Sequence, residues 1–341
     1  MVALVGRCSL GFSICLMLFL GGCKTDNDSS SKTKSTTKPA EPQLEVLEFD
    51  ENAAYDYIQK QVDFGPRVPN TPEHDSCAVW LTETLKKFAD KVEVQEAQVT
   101  AFNGTILNSK NIIASFNPKN NNRLLFCAHW DTRPFADMEE DPELAAKPIL
   151  GADDAGSGVG VLLEIANHLA KDKPNIGVDI IFFDTEDYGP PAGYENHGNK
   201  NYWCLGSQYW AKNQHRPNYK PIHAVLLDIV GGKDAVFTQE GYSMQYAPNT
   251  VKKVWDTGNK LGYSKYFKYK RTSGIIDDHV SLIEVGIPCI DIIRYETPPT
   301  NRFGAHWHTH DDNMDIISKE TLDAVGTTVL NFIYLVDKGI L

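Results

Sequence analysis

The sequence contains no run of basic residues. Lys and Arg number 33 against 45 Asp and Glu in 341 residues, which gives a formal net charge of -12. Nucleic-acid binding requires clustered Lys and Arg that neutralise phosphates. We therefore expect no nucleic-acid partner. The acidic surface indicates only a mild preference for basic peptides.

Paired cysteines are missing as well. The chain has seven Cys but no C-x-x-C pair, which argues against a metal site made of thiolates. Cys127 and Cys289 lie in apolar runs, where we expect them to pack as small hydrophobic side chains. The sequence assigns no disulfide, so a pairing among these two, Cys77 and Cys204 stays open.

The apolar run near the N-terminus, residues 8–22, is too short to span a bilayer. It follows Arg7 and is typical of a signal-peptide core. The run ends in Leu20-Gly21-Gly22-Cys23, which resembles the lipobox of bacterial lipoproteins. We therefore predict a signal peptide at 1–22, lipidation of Cys23, and a membrane-anchored domain outside the cytoplasm. The alternative is an ordinary secretory signal with an incidental cysteine.

The rest of the chain is predicted to be a flexible tether followed by one domain. Residues 23–43 are rich in Ser, Thr, Lys and Asp and cannot build a core, whereas 44–341 contain no second linker and no repeat. Apolar periodicity predicts helices at 73–89 and 158–170, and a last helix capped by Ser318 and ended by Gly339. Runs with little alternation predict buried strands at 111–116, 124–130, 178–184, 224–230 and 289–295.

Strands that alternate with helices indicate an α/β fold, with a mainly parallel, mixed central sheet covered by helices on both faces. Sites in such folds gather beyond the carboxyl ends of the strands. Acidic and imidazole side chains stand at several of these ends or just before helices: His129, Asp131, Asp153, Asp154, Asp184, Glu186, Asp187, Asp228, His308, His310, Asp311 and Asp312.

Each of these residues alone has an ordinary explanation. Asp153 or Asp154 could cap a helix, and His129 could be a hydrogen-bonded core histidine. Asp184, Asp311 and Asp312 could be turn residues. Their convergence at one sheet edge changes this reading, because so many carboxylates would repel one another unless a divalent cation is bound.

The mixture of His and carboxylates suits zinc. Glu186 and Asp187 are adjacent, so one can bind the metal while the other carries a proton.

From about residue 64 to the C-terminus, ordered blocks resemble the zinc aminopeptidase superfamily, and within it the glutaminyl cyclases of animal and bacterial type. The blocks are Phe64-Gly65-Pro66-Arg67-Val68-Pro69, His129-Trp130-Asp131-Thr132, Gly151-Ala152-Asp153-Asp154, Phe182-Phe183-Asp184-Thr185-Glu186-Asp187, Gly206-Ser207, Leu226-Leu227-Asp228-Ile229-Val230-Gly231, Asp277-Asp278-His279 and Trp307-His308-Thr309. The resemblance implies conversion of an N-terminal Gln of a peptide or protein into pyroglutamate, with release of ammonia.

The resemblance also implies a set of site residues. One zinc per chain would be bound by Asp154, Asp187 and His308, with one position open for the substrate carbonyl. Catalysis would fall to Glu186 as acid/base and to Asp228 and Asp277 as holders of the leaving nitrogen. Substrate would contact Trp307.

Three positions depart from the family pattern. Asp187 stands where Glu is commoner, so the metal must lie closer to its strand. Tyr188-Gly189-Pro190-Pro191 follows the acidic pair where the animal enzymes soon have a second pocket tryptophan, so that wall must differ. Asp291 stands in place of a histidine. We expect it to be a substrate-binding residue that holds a shared proton; the alternative is an ordinary strand residue paired to the backbone.

Two other functions remain possible from the sequence. In a di-zinc aminopeptidase, His129 and Asp228 would bind a second zinc, Asp154 would bridge the two ions, and Glu186 would activate a hydroxide. A noncatalytic surface-binding lipoprotein is disfavoured, since it predicts loss of the acid/base or of a ligand and none is lost.

Overall fold

The computed structural model describes residues 46–191, 193–195, 200–296 and 303–341. Its helices are α1 Glu51–Val62, α2 Pro72–Lys86, α3 Pro142–Ala145, α4 Gly156–Lys171, α5 Leu205–Lys212, α6 Gly241–Tyr246, α7 Pro248–Lys260, α8 Asp278–Glu284 and α9 Lys319–Asp337. Its strands are β1 Lys91–Thr100, β2 Ile106–Phe116, β3 Arg123–His129, β4 Gly177–Phe183, β5 His223–Asp228, β6 Phe237–Gln239, β7 Phe267–Arg271 and β8 Cys289–Ile293. The described residues form one compact unit.

The central sheet has the strand order β1-β2-β4-β3-β5-β8. Strands β4, β3, β5 and β8 run parallel to one another, whereas β2 is antiparallel to β4 and β1 is antiparallel to β2. Strands β6 and β7 pair in a separate small sheet. The prediction of a mainly parallel, mixed sheet is confirmed.

Both faces of the sheet are covered by helices. In β3, Leu124 and Phe126 point into a large core that includes residues of α1, α4 and α9. The intervening Leu125 points the other way, into a smaller core with Trp210 of α5 and Leu282 of α8. Every position of β3 is therefore buried, which explains why its sequence does not alternate.

The predicted strands continued too far at their carboxyl ends. Strand β4 ends at Phe183 and β5 at Asp228, because Thr185 and Ile229 adopt left-handed backbone with φ of 56° and 47°. The predicted strand at 111–116 began too late, because β2 begins at Ile106. The first half of β2 pairs with β1, a half-exposed strand that was not predicted. The cap at Ser318 is confirmed: its hydroxyl accepts the Thr321 N–H.

Cys77, Cys127, Cys204 and Cys289 are buried free thiols, so none of them forms a disulfide. Within the described ranges, no helix combines the length and the apolarity that a membrane span requires. The predicted signal peptide, the lipidation site Cys23 and the tether up to residue 43 lie outside the described residues.

Candidate active site

The predicted metal ligands come together from three parts of the chain. Asp154 precedes α4, Asp187 follows β4, and His308 lies in the loop before α9. One ligand atom of each lies within 4.8 Å of the other two, and all three side chains are buried. His308 Nε2 is 3.4 Å from Asp187 Oδ1 and 3.8 Å from Asp154 Oδ2.

This donor set fits zinc. Two carboxylates and one imidazole match the three protein ligands of a catalytic zinc site. Asp187 Oδ2 is buried and has no hydrogen-bond partner among the described residues, which is costly for a carboxylate oxygen unless a cation neutralises it. The other nitrogen of His308, Nδ1, lies 3.0 Å from Asp137 Oδ1, so a carboxylate fixes the orientation of the ring.

The loop that carries Asp154 is held by buried hydrogen bonds. The Asp312 carboxylate accepts the backbone N–H groups of Asp153 at 2.7 Å and Asp154 at 3.1 Å. Arg67 donates to the carbonyl oxygens of Leu150 and Gly151. Asp312 closes a turn, as one interpretation of the sequence had it, since its N–H donates to the Thr309 carbonyl at 3.2 Å. Its buried carboxylate also supports the loop, which the sequence did not indicate.

Helix capping by either aspartate of this loop, in contrast, was a wrong interpretation. Ala155 occupies the cap position of α4, and no side chain caps the helix there. Asp153 instead accepts the Gly231 N–H at 2.7 Å and contacts His306 Nε2 at 2.9 Å. Its carboxylate connects the loop that carries Asp154 to the segment after β5.

A third aspartate supports the acidic pair. Asp131 accepts the backbone N–H of Glu186 at 3.0 Å and of Asp187 at 3.2 Å. Asp184 accepts the N–H of Lys110 and contacts His74 Nε2 at 2.9 Å. These two carboxylates orient the chain around the site and are not among the grouped metal-ligand candidates.

The predicted catalytic residues face one cavity of about 260 Å³, which Glu186, Asp228 and Asp277 line together with the metal-ligand candidates. One atom each of Glu186, Cys204 and Asp277 lies within 4.8 Å of the others, and the Cys204 thiol donates to Glu186 Oε1 at 3.2 Å. Burial raises the pKa of Glu186 well above its usual range, and the charges of Asp187 and Asp277 raise it further.

His129 is not an isolated core histidine. Its Nε2 lies 2.9 Å from Asp154 Oδ1 and 3.3 Å from Asp228 Oδ1. These three residues form a second group with metal-ligand spacing that shares Asp154 with the first. The geometry thus contains the residues that a di-zinc enzyme would need.

Aromatic side chains form the apolar walls of the cavity. Trp307 lines it and stacks on His308, with ring centroids 3.7 Å apart. Trp203 lines it as well and stacks with His308 at 6.4 Å. Trp203 was not predicted, because it lies far along the sequence from the acidic pair. Gly189 packs closely against it, since a Cβ at Gly189 would lie 2.2 Å from the Trp203 ring.

Asp291 is fully buried behind the cavity and is not among the residues that line it. Direct contact with a substrate, as we predicted, does not fit this position. Neither carboxylate oxygen has a hydrogen-bond partner among the described residues. Burial raises the pKa of Asp291 well above its usual range, and so does the neighbouring charge of Asp277. One carboxylate oxygen of Asp291 lies within 4.8 Å of one of Asp277, and a proton shared between the two residues stays a prediction.

Comparison with known proteins gives consistent matches. The model of peptidase family M28 matches residues 111–333. The structure of Bacteroides thetaiotaomicron glutaminyl cyclase bound to N-acetylhistamine is 48% identical with a TM-score of 0.82, over 85% of this chain and 99% of that one.

Two further matches extend the range of relatives. A leucine aminopeptidase precursor from Bacteroides thetaiotaomicron has a TM-score of 0.81 and is also 48% identical, over 85% of this chain and 99% of that one. The curated glutaminyl-peptide cyclotransferase of Drosophila melanogaster is 24% identical, over 92% of this chain and 89% of that protein. The chain therefore belongs to peptidase family M28, in the group that contains the bacterial glutaminyl cyclases.

Proposed function

We propose that this protein is a zinc-dependent glutaminyl-peptide cyclotransferase. It converts the N-terminal Gln of peptides or proteins into pyroglutamate and releases ammonia. The observation that carries the proposal is a small cavity in which one three-residue ligand cluster meets three further carboxylates, those of Glu186, Asp228 and Asp277. The similarity to solved glutaminyl cyclases supports the same conclusion.

The reaction is an intramolecular acyl transfer. The α-amine of the substrate forms a bond to its own side-chain amide carbon, and the bond from that carbon to the NH₂ group breaks. The attacking nitrogen must lose a proton, and the leaving nitrogen must gain one to depart as ammonia. No water enters as a nucleophile, and holding the substrate folded in a small cavity supplies much of the rate.

Glu186 moves the proton between the two nitrogens. It receives the proton from the amine and delivers it to the leaving group. Its Oε1 is oriented by the Cys204 thiol, and Asp277 lies beside it. Asp228 and Asp277 hold the leaving NH₂ group by accepting hydrogen bonds from its N–H groups, while the buried Asp291 shares a proton with Asp277.

Asp154, Asp187 and His308 would hold one zinc ion. When bound there, zinc supplies a Lewis acid that polarises the side-chain carbonyl of the substrate. Trp307 and Trp203 bind the apolar part of the Gln side chain.

The second candidate is a di-zinc aminopeptidase, which the group of His129, Asp154 and Asp228 favours. Purified protein incubated with Gln-initiated and Leu-initiated peptides separates the two. We expect ammonia from the Gln peptides and no free Leu. Release of Leu without ammonia would mean that the protein is a peptidase.

We also propose that the domain is anchored to a bacterial membrane through a lipid on Cys23. The support is the lipobox-like sequence before it. Growth with a labelled fatty acid should label the wild type but not Cys23→Ser. Absence of label in the wild type would show an ordinary secreted protein.

A further inference from the structure

We propose that Arg133 and Asp137 form a clamp that fixes Asp187 and His308 and so sets the affinity of the site for zinc. Neither residue lines the cavity, so both are positioning residues. The inference rests on the proposed function, because it takes these two ligands as the zinc site. It assigns a role to a salt bridge that no motif in the sequence indicated.

The pair is bidentate. Arg133 Nε lies 2.7 Å from Asp137 Oδ1, and a terminal nitrogen of the same guanidinium lies 2.8 Å from Oδ2. Asp137 Oδ1 also contacts His308 Nδ1 at 3.0 Å. The position of the carboxylate, and with it the direction in which His308 Nε2 points, therefore depends on the guanidinium.

The other terminal nitrogen of Arg133 reaches the second ligand. It donates to the backbone carbonyl of Asp187 at 3.0 Å and lies 3.4 Å from Asp187 Oδ1. One guanidinium thus holds both the main chain and one carboxylate oxygen of this ligand. The second oxygen, Oδ2, has no hydrogen-bond partner in the part of the chain that the structure describes, so it is available to a metal ion.

This contact bears on the shorter side chain at position 187. An aspartate reaches one methylene less far than the glutamate commoner in the family, so its backbone must be held closer to the ion. The bond from Arg133 to the Asp187 carbonyl fixes that backbone. The Arg133 guanidinium thereby links the two proposed ligands, Asp187 directly and His308 through Asp137.

Aromatic rings hold the guanidinium in place. The Arg133 side chain is 1% exposed, and its central carbon lies 4.3 Å from the Phe135 ring centroid and 4.8 Å from that of Trp203. Lysine cannot reproduce this arrangement, because it lacks both the planar fork and the stacking surface.

Zinc affinity tests the clamp directly. We would measure the dissociation constant of zinc by chelator competition for the wild type, Arg133→Lys, Asp137→Asn and the double variant. Each single variant is expected to bind zinc about 10- to 100-fold more weakly, as for other groups that orient metal ligands. The double variant should lose less than the product of the single losses, since the residues act as one unit. Saturating zinc should restore much of the kcat.

Arg123 and Asp179 provide a matched control. They form another buried bidentate pair, with both contacts at 2.6 Å, at the amino end of β3 rather than at the site. Arg123→Lys and Asp179→Asn should lower stability but leave zinc affinity within about twofold. An equal loss of affinity in these controls would show a general effect of destabilisation and overturn the clamp.

The remaining outcomes also decide the question. Folded Arg133→Lys and Asp137→Asn proteins with wild-type zinc affinity would overturn the clamp and leave the proposed function intact. If Arg133→Lys does not fold, Asp137→Asn alone decides, because it keeps the size of the side chain. A wild type that binds no zinc would overturn both the clamp and the proposed function.

Discussion

Glu186→Gln is expected to lower the kcat for ammonia release from a Gln-initiated peptide by about 1,000-fold, within the range known for general acid/base catalysts. The amide keeps the size of the side chain and can still interact with the Cys204 thiol. It cannot accept the amine proton and return it to the leaving nitrogen. Steady-state ammonia assays at saturating substrate measure the effect, and KM should change little.

Two controls separate this chemical role from a structural one. Zinc content should be unchanged in Glu186→Gln, because Glu186 is not among the proposed ligands. Glu139→Gln changes a carboxylate that is hydrogen-bonded to His310, and this variant should retain the wild-type rate of ammonia release. A Glu186→Gln protein that cyclises at the wild-type rate would show that another group transfers the proton.

His308→Ala is expected to abolish both zinc retention and activity. The change removes one of the three proposed ligands, and loss of a ligand should exceed the 10- to 100-fold effect typical of the groups that orient ligands. We expect activity to fall by more than about 100-fold, and zinc measured by elemental analysis after gel filtration to fall well below that of the wild type. Incubating the wild type with a chelator should cause the same loss of activity, and added zinc should reverse it.

His310→Ala is the matched control for this change. His310 lies two residues further along the same loop and contacts Glu139 rather than a proposed ligand, with His310 Nδ1 3.0 Å from Glu139 Oε1. It should keep its zinc and most of its activity. If His308→Ala retained a full equivalent of zinc and normal turnover, the proposed ligand set would be wrong.

The central sheet could be predicted from the sequence because its parallel strands are buried on both faces. Continuous apolar runs such as the one in β3 identify such strands without any further information. Strand β1 has a half-exposed pattern, and its sequence alone did not indicate that it pairs with β2. The residues near the strand ends follow from the topology, since parallel strands bring their carboxyl ends to one edge.

The roles of individual carboxylates were harder to predict. Asp131 and Asp312 stand in the same kind of sequence as Asp154, yet they accept backbone N–H groups instead of facing the cavity. Asp131 and Asp312 differ from Asp154 in the side of the loop on which the side chain lies. That is set by contacts between segments far apart in the chain, such as the one from Asp312 to the loop before α4.

Trp203 and Arg133 were missed as well, each for its own reason. Trp203 lines the cavity but lies far from Glu186 along the chain, so the sequence did not indicate that the two residues share a site. Arg133 acts through Asp137, four residues later in a segment without predicted structure. An arginine and an aspartate just beyond a strand end that carries site residues are a signal that could have suggested a supporting pair.

Anomalous diffraction at the zinc absorption edge from crystals of the wild type tests the one-zinc site most directly. We predict a single strong peak within about 2.0–2.3 Å of ligand atoms from Asp154, Asp187 and His308. Two peaks of equal height, with the second bound by His129 and Asp228, would contradict the one-zinc cyclase and indicate a di-zinc peptidase.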